Sequence, residues 1–359
     1  MRKNKKRIGL ITSGGDCAGL NAAIYGVVQA ASGREGWDVI GVRYGTRGLY
    51  ETPFDITELT PETLPQGMLH EGSTILGSTN SLSYPLVANR KVEHESETVA
   101  ALHALKLDAL VCVGGDGTIR IIQRICKLAG LPLVAIPKTI DNDVNGTEHA
   151  LGFNSAVAVA TEAIQRLRPT ARAHQRAIVL EVMGRDAGHL ALASGIAGGA
   201  DIILVPEIPW SLDKVATHIN SLWDKGQRHA VIVASEAIHK TDGNKVHKTG
   251  GAQRKRYGGV SEHVAEDIEK ATGRETRSMV LGHVQRGCEP TWTDRVLGQV
   301  LGVHAVDLLA QNRFDRLVLW QDDQVIDIAI EKAASGFRSL DLNSPLLHTA
   351  RRLGICFGD

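Results

Sequence analysis

The sequence has no surplus of either charge: 40 Lys and Arg stand against 40 Asp and Glu in 359 residues. Without a basic excess nothing is available to hold a polyanion, so nucleic-acid binding is not expected as the main role. Long apolar runs are missing too. No stretch approaches the roughly 20 residues that cross a bilayer, so no membrane association is expected. The basic start, Met1 to Arg7, leads only into Ile8–Thr12 before Gly14-Gly15, too short for the apolar part of a signal peptide. The expected compartment is the cytoplasm. Aromatic residues make up only 4% of the chain, which argues against stacking platforms for single-stranded nucleic acid or a carbohydrate cleft. Five cysteines (Cys17, Cys112, Cys126, Cys288, Cys356) form no close pair, so neither a disulfide framework nor a structural zinc site is expected. All five read as reduced, buried thiols.

Glycine is abundant instead: 38 of 359 residues, roughly 11% against an average of about 7%. Many tight turns, or backbone lying close to a ligand, are implied. Short β-branched runs recur at Ile8–Thr12, Val39–Tyr44, Leu107–Val113, Pro132–Ile136, Ala177–Met183, Asp201–Val205, Ala230–Ser235, Met279–Val284 and Arg316–Trp320. They predict buried strands. Between many of them lie helix-length segments, among them Leu20–Ala31, Thr118–Ala129, Ser155–Leu167 and Val296–Ala310. That alternation predicts an α/β fold with largely parallel sheets. The length suits two ordinary domains or one large one. Lys240–Gly259 has no apolar periodicity and reads as a long, solvated polar loop.

Three glycine-rich junctions each follow a predicted strand and open a predicted helix: Gly14-Gly15-Asp16-Cys17-Ala18-Gly19, Gly114-Gly115-Asp116-Gly117-Thr118 and Met183-Gly184-Arg185-Asp186-Ala187-Gly188. Free backbone N–H groups and the helix dipole favour an anion there. Singly each is weak; together they point to a site for several phosphates. None is a Walker A loop or a complete dinucleotide fingerprint. A second cluster, Pro137-Lys138-Thr139-Ile140-Asp141-Asn142-Asp143, follows the strand Pro132–Ile136. Its two carboxylates could cap turns, hold Mg²⁺, or divide base and metal duties. A third set is cationic: Arg176, Arg185, Arg277, His283 and Arg286, with Glu236 closing another strand. Arginine forks at strand ends suit a phosphorylated substrate, although an exposed ion pair is the commoner fate of any one of them. For His283 a satisfied core position competes with a binding role.

The ordered motifs at 14–21, 114–118, 138–143, 181–185 (Glu-Val-Met-Gly-Arg) and 281–287 (Leu-Gly-His-Val-Gln-Arg-Gly) resemble those of the phosphofructokinase family, in register from Ile8 to about Leu309. Gly-Gly-Asp-Gly-Thr alone also resembles NAD kinases and diacylglycerol kinases, which lack the other motifs. The resemblance implies two Rossmann-like α/β domains with largely parallel sheets and the active site between them. It places the donor domain at 1–151 and 286–338, the sugar-phosphate domain at 152–285, and a C-terminal extension at 339–359. It implies Asp141 as the base that takes the proton from the 1-hydroxyl of fructose 6-phosphate, with Lys138, Thr139 and Arg185 beside it in the catalytic set. Asp116 and Asp143 would hold Mg²⁺. Gly14, Asn80, Gly115, Asp116, Gly117 and Thr118 would meet the phosphoryl donor. Thr139, Ile140, Asp141, Met183, Gly184, Arg185, Glu236, His283, Val284, Gln285 and Arg286 would line the sugar-phosphate site. Arg176 and Arg277 would reach it from a neighbouring subunit, so a homo-oligomer, dimer or tetramer, is implied.

The family divides between ATP and pyrophosphate as donor. Pyrophosphate users resemble Gly-Gly-Asp-Asp-Thr, whose extra carboxylate excludes the ATP α-phosphate by bulk and charge. Gly117 leaves that space free, whereas Lys138 is typical of pyrophosphate users; steric exclusion being the harder to tolerate, ATP is the expected donor. This combination resembles the mixed-substrate branch of the family. Asn80 stands where common bacterial ATP enzymes carry an arginine that touches the transferring group, and Lys138 is expected to compensate. Tyr25 and Gln29 replace two allosteric arginines, so control by ADP and phosphoenolpyruvate through that site is expected to be weak or absent. The alternatives are a pyrophosphate-dependent phosphotransferase and, from another class, a non-catalytic sugar-phosphate sensor.

Overall fold

The computed structural model describes residues 6–79, 94–240, 243–244, 246–249, 255–333 and 336–359. In chain order the first elements are β1 (Lys6–Ser13), α1 (Leu20–Ser32), β2 (Trp37–Val42), α2 (Arg47–Tyr50), β3 (Ile56–Leu59), α3 (Glu95–Ala104), β4 (Ala109–Gly114), α4 (Asp116–Ala129) and β5 (Leu133–Pro137). The middle comprises α5 (Phe153–Ala173), β6 (Ala177–Val182), α6 (His189–Gly198), β7 (Ile202–Leu204), α7 (Leu212–Asp224), β8 (Ala230–Ser235), β9 (His247–Thr249), β10 (Lys255–Tyr257), α8 (Val260–Thr272) and β11 (Thr276–Val280). The chain closes with α9 (Trp292–Ala310), β12 (Arg316–Gln321), β13 (Gln324–Ala329), α10 (Ile330–Ala333) and α11 (Pro345–Arg352).

Two compact units divide the chain. The first is Met1–Ile140, Val144–Ser155 and Arg286–Phe337; the second is Asp141–Asp143, Ala156–Gln285 and Arg338–Asp359. Residues 339–359, set apart above as an extension, thus belong to the second unit. In the first unit seven strands run in the order β13-β12-β5-β4-β1-β2-β3. The five inner strands are parallel, with antiparallel β3 and β13 at the edges. β4 and β5 are buried along their whole length, as a strand covered on both faces must be, which is why they read as unbroken apolar runs. In the second unit four parallel strands run β11-β6-β8-β7. Its core gathers Val179, Ile232, Ile219 and Val264.

Some sequence expectations move. The strand expected over Met279–Val284 is Thr276–Val280, followed by a 3₁₀ turn at Gly282–Gln285. Its pairing with β6 ends at Val280 opposite Glu181, and Gly282 then adopts φ 54°, a left-handed conformation that cannot extend a strand. The expected polar loop Lys240–Gly259 contains the antiparallel pair β9 and β10. Three-residue strands leave no apolar alternation to read. Glu181, buried in β6, explains why this segment ends where it does: its carboxylate accepts the N–H groups of Gly259 and Ser261 and so caps α8. Cys17, Cys112 and Cys126 are buried, whereas Cys288 and Cys356, expected to be buried as well, are only partly buried. Burial pushes the Cys17 and Cys112 thiols up to about 12, so both are neutral at physiological pH. Among the described residues no helix is long and apolar enough to cross a membrane.

Candidate active site

In the first unit the chain runs outward from β1 to β2, then returns on the other side to form β4, so the strand order reverses between β1 and β4. Ligands of open α/β sheets bind outside the carboxyl ends of strands at such a point. The first two glycine junctions and Lys138 follow β1, β4 and β5, three adjacent parallel strands. Gly14 has φ 91°, and a Cβ there would lie 2.8 Å from Thr118 Oγ1 and 3.6 Å from Lys138 Nζ. Only glycine lets these groups approach so closely. Lys138, itself buried, donates Nζ to the Gly15 carbonyl and its backbone N–H to Gly114 (2.9 Å). Arg286 joins the cluster by donating Nη1 to the Asp16 carbonyl (2.9 Å). Gly14, Gly115, Thr118, Lys138 and Arg286 are therefore brought together in this unit.

Asp116 opens α4, where the helix dipole favours negative charge. Both of its oxygens accept from Arg120, at 3.0 and 2.9 Å. The carboxylate is about half exposed and each oxygen keeps a second lone pair, which fits a Mg²⁺ ion held by one or two carboxylates plus substrate phosphates. Among the described residues outside its own helix turn, a Cβ on Gly117 would meet nothing within 4 Å. The space beside that position is open. Thr139 donates its N–H to Leu151 (3.2 Å), and the Ile140 side chain is buried in the core, leaving only its backbone for a ligand. Asn80 lies outside the described residues.

In the second unit the third glycine junction and Glu236 follow the paired strands β6 and β8, with Val182 opposite Ser235. Arg185 sits at φ 50° and donates its N–H to Glu236 Oε1 (3.0 Å). Gly184, at φ 142°, passes so close to Ala187 that a Cβ would lie 2.7 Å from its carbonyl oxygen. These contacts fix the loop, which leaves Met183 half-buried beside it. The Asp141 side chain is only 4% exposed and faces Arg185, with Nε 3.7 Å from Oδ2; the Arg185 side chain is 72% exposed. A buried carboxylate thus has an exposed cation beside it. Asp143 is half-buried, and its carbonyl accepts the Arg338 N–H (2.8 Å). Tyr257 donates its hydroxyl to Asp186 Oδ1 (2.7 Å), tying the end of β10 to the Arg185 loop.

Two expected ligands lie elsewhere. Arg176 precedes β6 and Arg277 is the second residue of β11, opposite Ile178, so both lie at the amino ends of their strands, whereas Met183 to Arg185 follow the carboxyl end of β6. They share one carboxylate, Glu275, at 3.3 and 2.7 Å. At about 3.3 Å per residue, β6 alone sets them roughly 20 Å from the Arg185 loop within one chain. His283 and Val284 are exposed on the 3₁₀ turn, so the core reading of His283 falls; Gln285 is buried. Sequence reasoning missed Ser78, whose hydroxyl donates to the Gly14 carbonyl, and Thr79, whose carbonyl accepts the Gly14 N–H. It also missed Asp294 and Arg338. None of these carries a local signal, because each acts across a long sequence separation.

The family model described as Phosphofructokinase matches residues 7–309. The chain belongs to this family. Among phosphofructokinases, the protein named ATP-dependent 6-phosphofructokinase 1 of Synechocystis sp. is 46% identical over 357 residues, 99% of each chain. ATP-dependent 6-phosphofructokinase 3 of Bacteroides thetaiotaomicron is 40% identical, covering 98% of this chain and 100% of its own. The structure of phosphofructokinase from Saccharomyces cerevisiae superposes with a TM-score of 0.78 at 29% identity, over 92% of this chain and 45% of the yeast chain. A pyrophosphate-dependent phosphofructokinase from Marinobacter aquaeolei gives 0.78 at 21% identity, over 98% of this chain and 88% of its own, a likeness of fold alone.

Proposed function

We propose that the chain is an ATP-dependent 6-phosphofructokinase, moving the terminal phosphoryl group of ATP to the 1-hydroxyl of fructose 6-phosphate in the cytoplasm. The observation that carries this reading is the convergence of Gly14, Thr118 and Lys138 beside an open Gly117, in a chain whose full-length relatives bear that name. Asp141 takes the proton from the hydroxyl as its oxygen attacks the γ-phosphorus and the bond to the β–γ bridging oxygen breaks. Lys138 offsets negative charge on the departing ADP side, and Arg185 swings from Asp141 onto the transferring group. Such chemistry depends on positioning and charge stabilisation more than on covalent help from the protein. Asp116, with Asp143, would hold Mg²⁺, which when bound neutralises charge on the donor phosphates. Thr139, Met183, Glu236, His283 and Arg286 line the sugar phosphate.

Arg176 and Arg277, at the far ends of their strands, serve the site of a second copy in this reading, so the working enzyme is a homo-oligomer. The purified protein, given fructose 6-phosphate and Mg²⁺ with either ATP or pyrophosphate at matched concentration, is expected to turn over with ATP. Turnover with pyrophosphate alone would overturn the donor, and silence with both would favour a sensor.

A further inference from the structure

Asp141, Asn142 and Asp143 belong to the second unit although Ile140 and Val144, their chain neighbours, belong to the first. Contacts within the second unit hold these three residues. Besides Arg185 on Asp141, two of these contacts come from the start of the C-terminal segment. Arg338 donates its backbone N–H to the Asp143 carbonyl (2.8 Å) and Nη1 to the Asn142 carbonyl (3.3 Å). Asn142 sits at φ 53°, a left-handed conformation that asparagine adopts more readily than most residues. Arg338 is itself fixed: His189 Nε2 donates to its carbonyl (3.1 Å), and His189 is buried at the start of α6.

Beyond Arg338 the segment is fastened at successive points. Leu340 donates its N–H to Glu207 Oε1 (2.9 Å), and the same carboxylate accepts the Gly188 N–H that precedes α6. After α11, Cys356 bridges Ile202 in parallel, adding backbone hydrogen bonds to the outer edge of β7. Phe357 is fully buried, and Gly358 accepts the Ser211 N–H (2.8 Å). A segment anchored at both ends can transmit rigidity to what it touches. We propose that residues 338–359 form a strap across the second unit, with Arg338 as the positioning residue that holds the Asp141–Asp143 turn in its reactive geometry. The inference rests on the functional reading above, in which Asp141 is the base.

Arg338 is tied to the turn through the Asn142 and Asp143 carbonyls, so its loss should disturb the chemical step more than substrate binding. A misplacement of about 1 Å at a reacting group costs on the order of 100-fold. Arg338→Ala in the full chain is expected to lower kcat about 10- to 100-fold, with the KM values for fructose 6-phosphate and ATP within about threefold. Added guanidinium ion should restore part of the loss, and Arg338→Lys should fall between the two. A merely structural role would lower the thermal midpoint and show neither the kcat-selective loss nor rescue. Parent-like kcat in Arg338→Ala would overturn the positioning role of Arg338, since the substitution removes its Nη1 bond to Asn142 and keeps its backbone bond to Asp143. Hydrogen exchange over 139–145 gives a readout independent of turnover: faster exchange in Arg338→Ala supports the strap and unchanged exchange refutes it, even if the parent enzyme fails to use ATP and the functional reading itself falls.

Discussion

Gly117 and Lys138 pull the choice of phosphoryl donor in opposite directions, and their surroundings allow the two to be tested separately. Among the described residues outside its own helix turn, none has an atom within 4 Å of a Cβ at Gly117, so these offer Gly117→Asp no steric resistance. An added carboxylate in the first turn of α4 is, if anything, favourable by about 0.3–1 kcal/mol through the helix dipole. The variant is therefore expected to fold with parent-like stability and to lose ATP turnover, measured by a coupled assay. Retained turnover would remove the steric argument. Lys138 differs because it is buried and its ammonium already holds the Gly15 carbonyl. Lys138→Ala removes both the charge and that tie, so kcat should fall at least 100-fold while KM for the sugar changes little. Initial-rate kinetics at varied fructose 6-phosphate distinguish this from a binding defect.

Element packing decides whether these residues meet at all. α1 and α9 approach through glycines: a Cβ on Gly26 would intrude on Gln299, with Cα 2.9 Å away, and one on Gly302 would press on Val27 N at 2.9 Å. Gly26→Ala must push the helices apart and is expected to cost about 1–3 kcal/mol, read from the urea midpoint. The first turn of α9 carries Asp294, a fully buried carboxylate that accepts Gly152 N–H (3.0 Å), Ser155 N–H (2.8 Å) and Ser155 Oγ–H (2.5 Å). Burial raises its pKa despite these bonds. The next residue back from Gly152, Leu151, accepts the Thr139 N–H, so α9 indirectly frames the start of the Lys138–Asp143 turn. Asp294→Ala strands three donors and is expected to destabilise by about 3–5 kcal/mol, measured by denaturant unfolding. α9 itself was legible as Val296–Ala310, yet its first turn was not: Thr291, its N-cap, and Asp294 lie in a polar stretch whose meaning depends on Ser155, 139 residues away.

At the scale of the molecule, His189, His218 and His229 share a direction. Burial leads the causes that hold each below the ordinary imidazole value of 6.5. The unfolded chain then binds more protons than the folded one as pH falls through 6.5, so stability is present above that value and lost below it. Unfolding midpoints should drop between pH 7.5 and 5.5. His189→Gln, which keeps a donor for the Arg338 carbonyl, should shrink that drop; an unchanged pH slope would mean that His189 does not contribute.

Much of this protein could be read from sequence because its chemistry is written in contiguous motifs. A buried parallel strand needs an unbroken apolar run, and a phosphate loop needs glycine directly after it, so β1, β4, β5 and β6 and their junctions announced themselves locally. The family and the residue types of the site followed. Only the tertiary structure decided which residues act together. It gathered Arg286 to Asp16, set Arg176 and Arg277 on Glu275 at the opposite ends of their strands, and laid Arg338 on Asn142 across 196 residues of chain. Periodicity and turn chemistry report a residue's immediate neighbours, whereas strand order and the course of the C-terminal segment are set by burial summed over the whole unit, which no local pattern records.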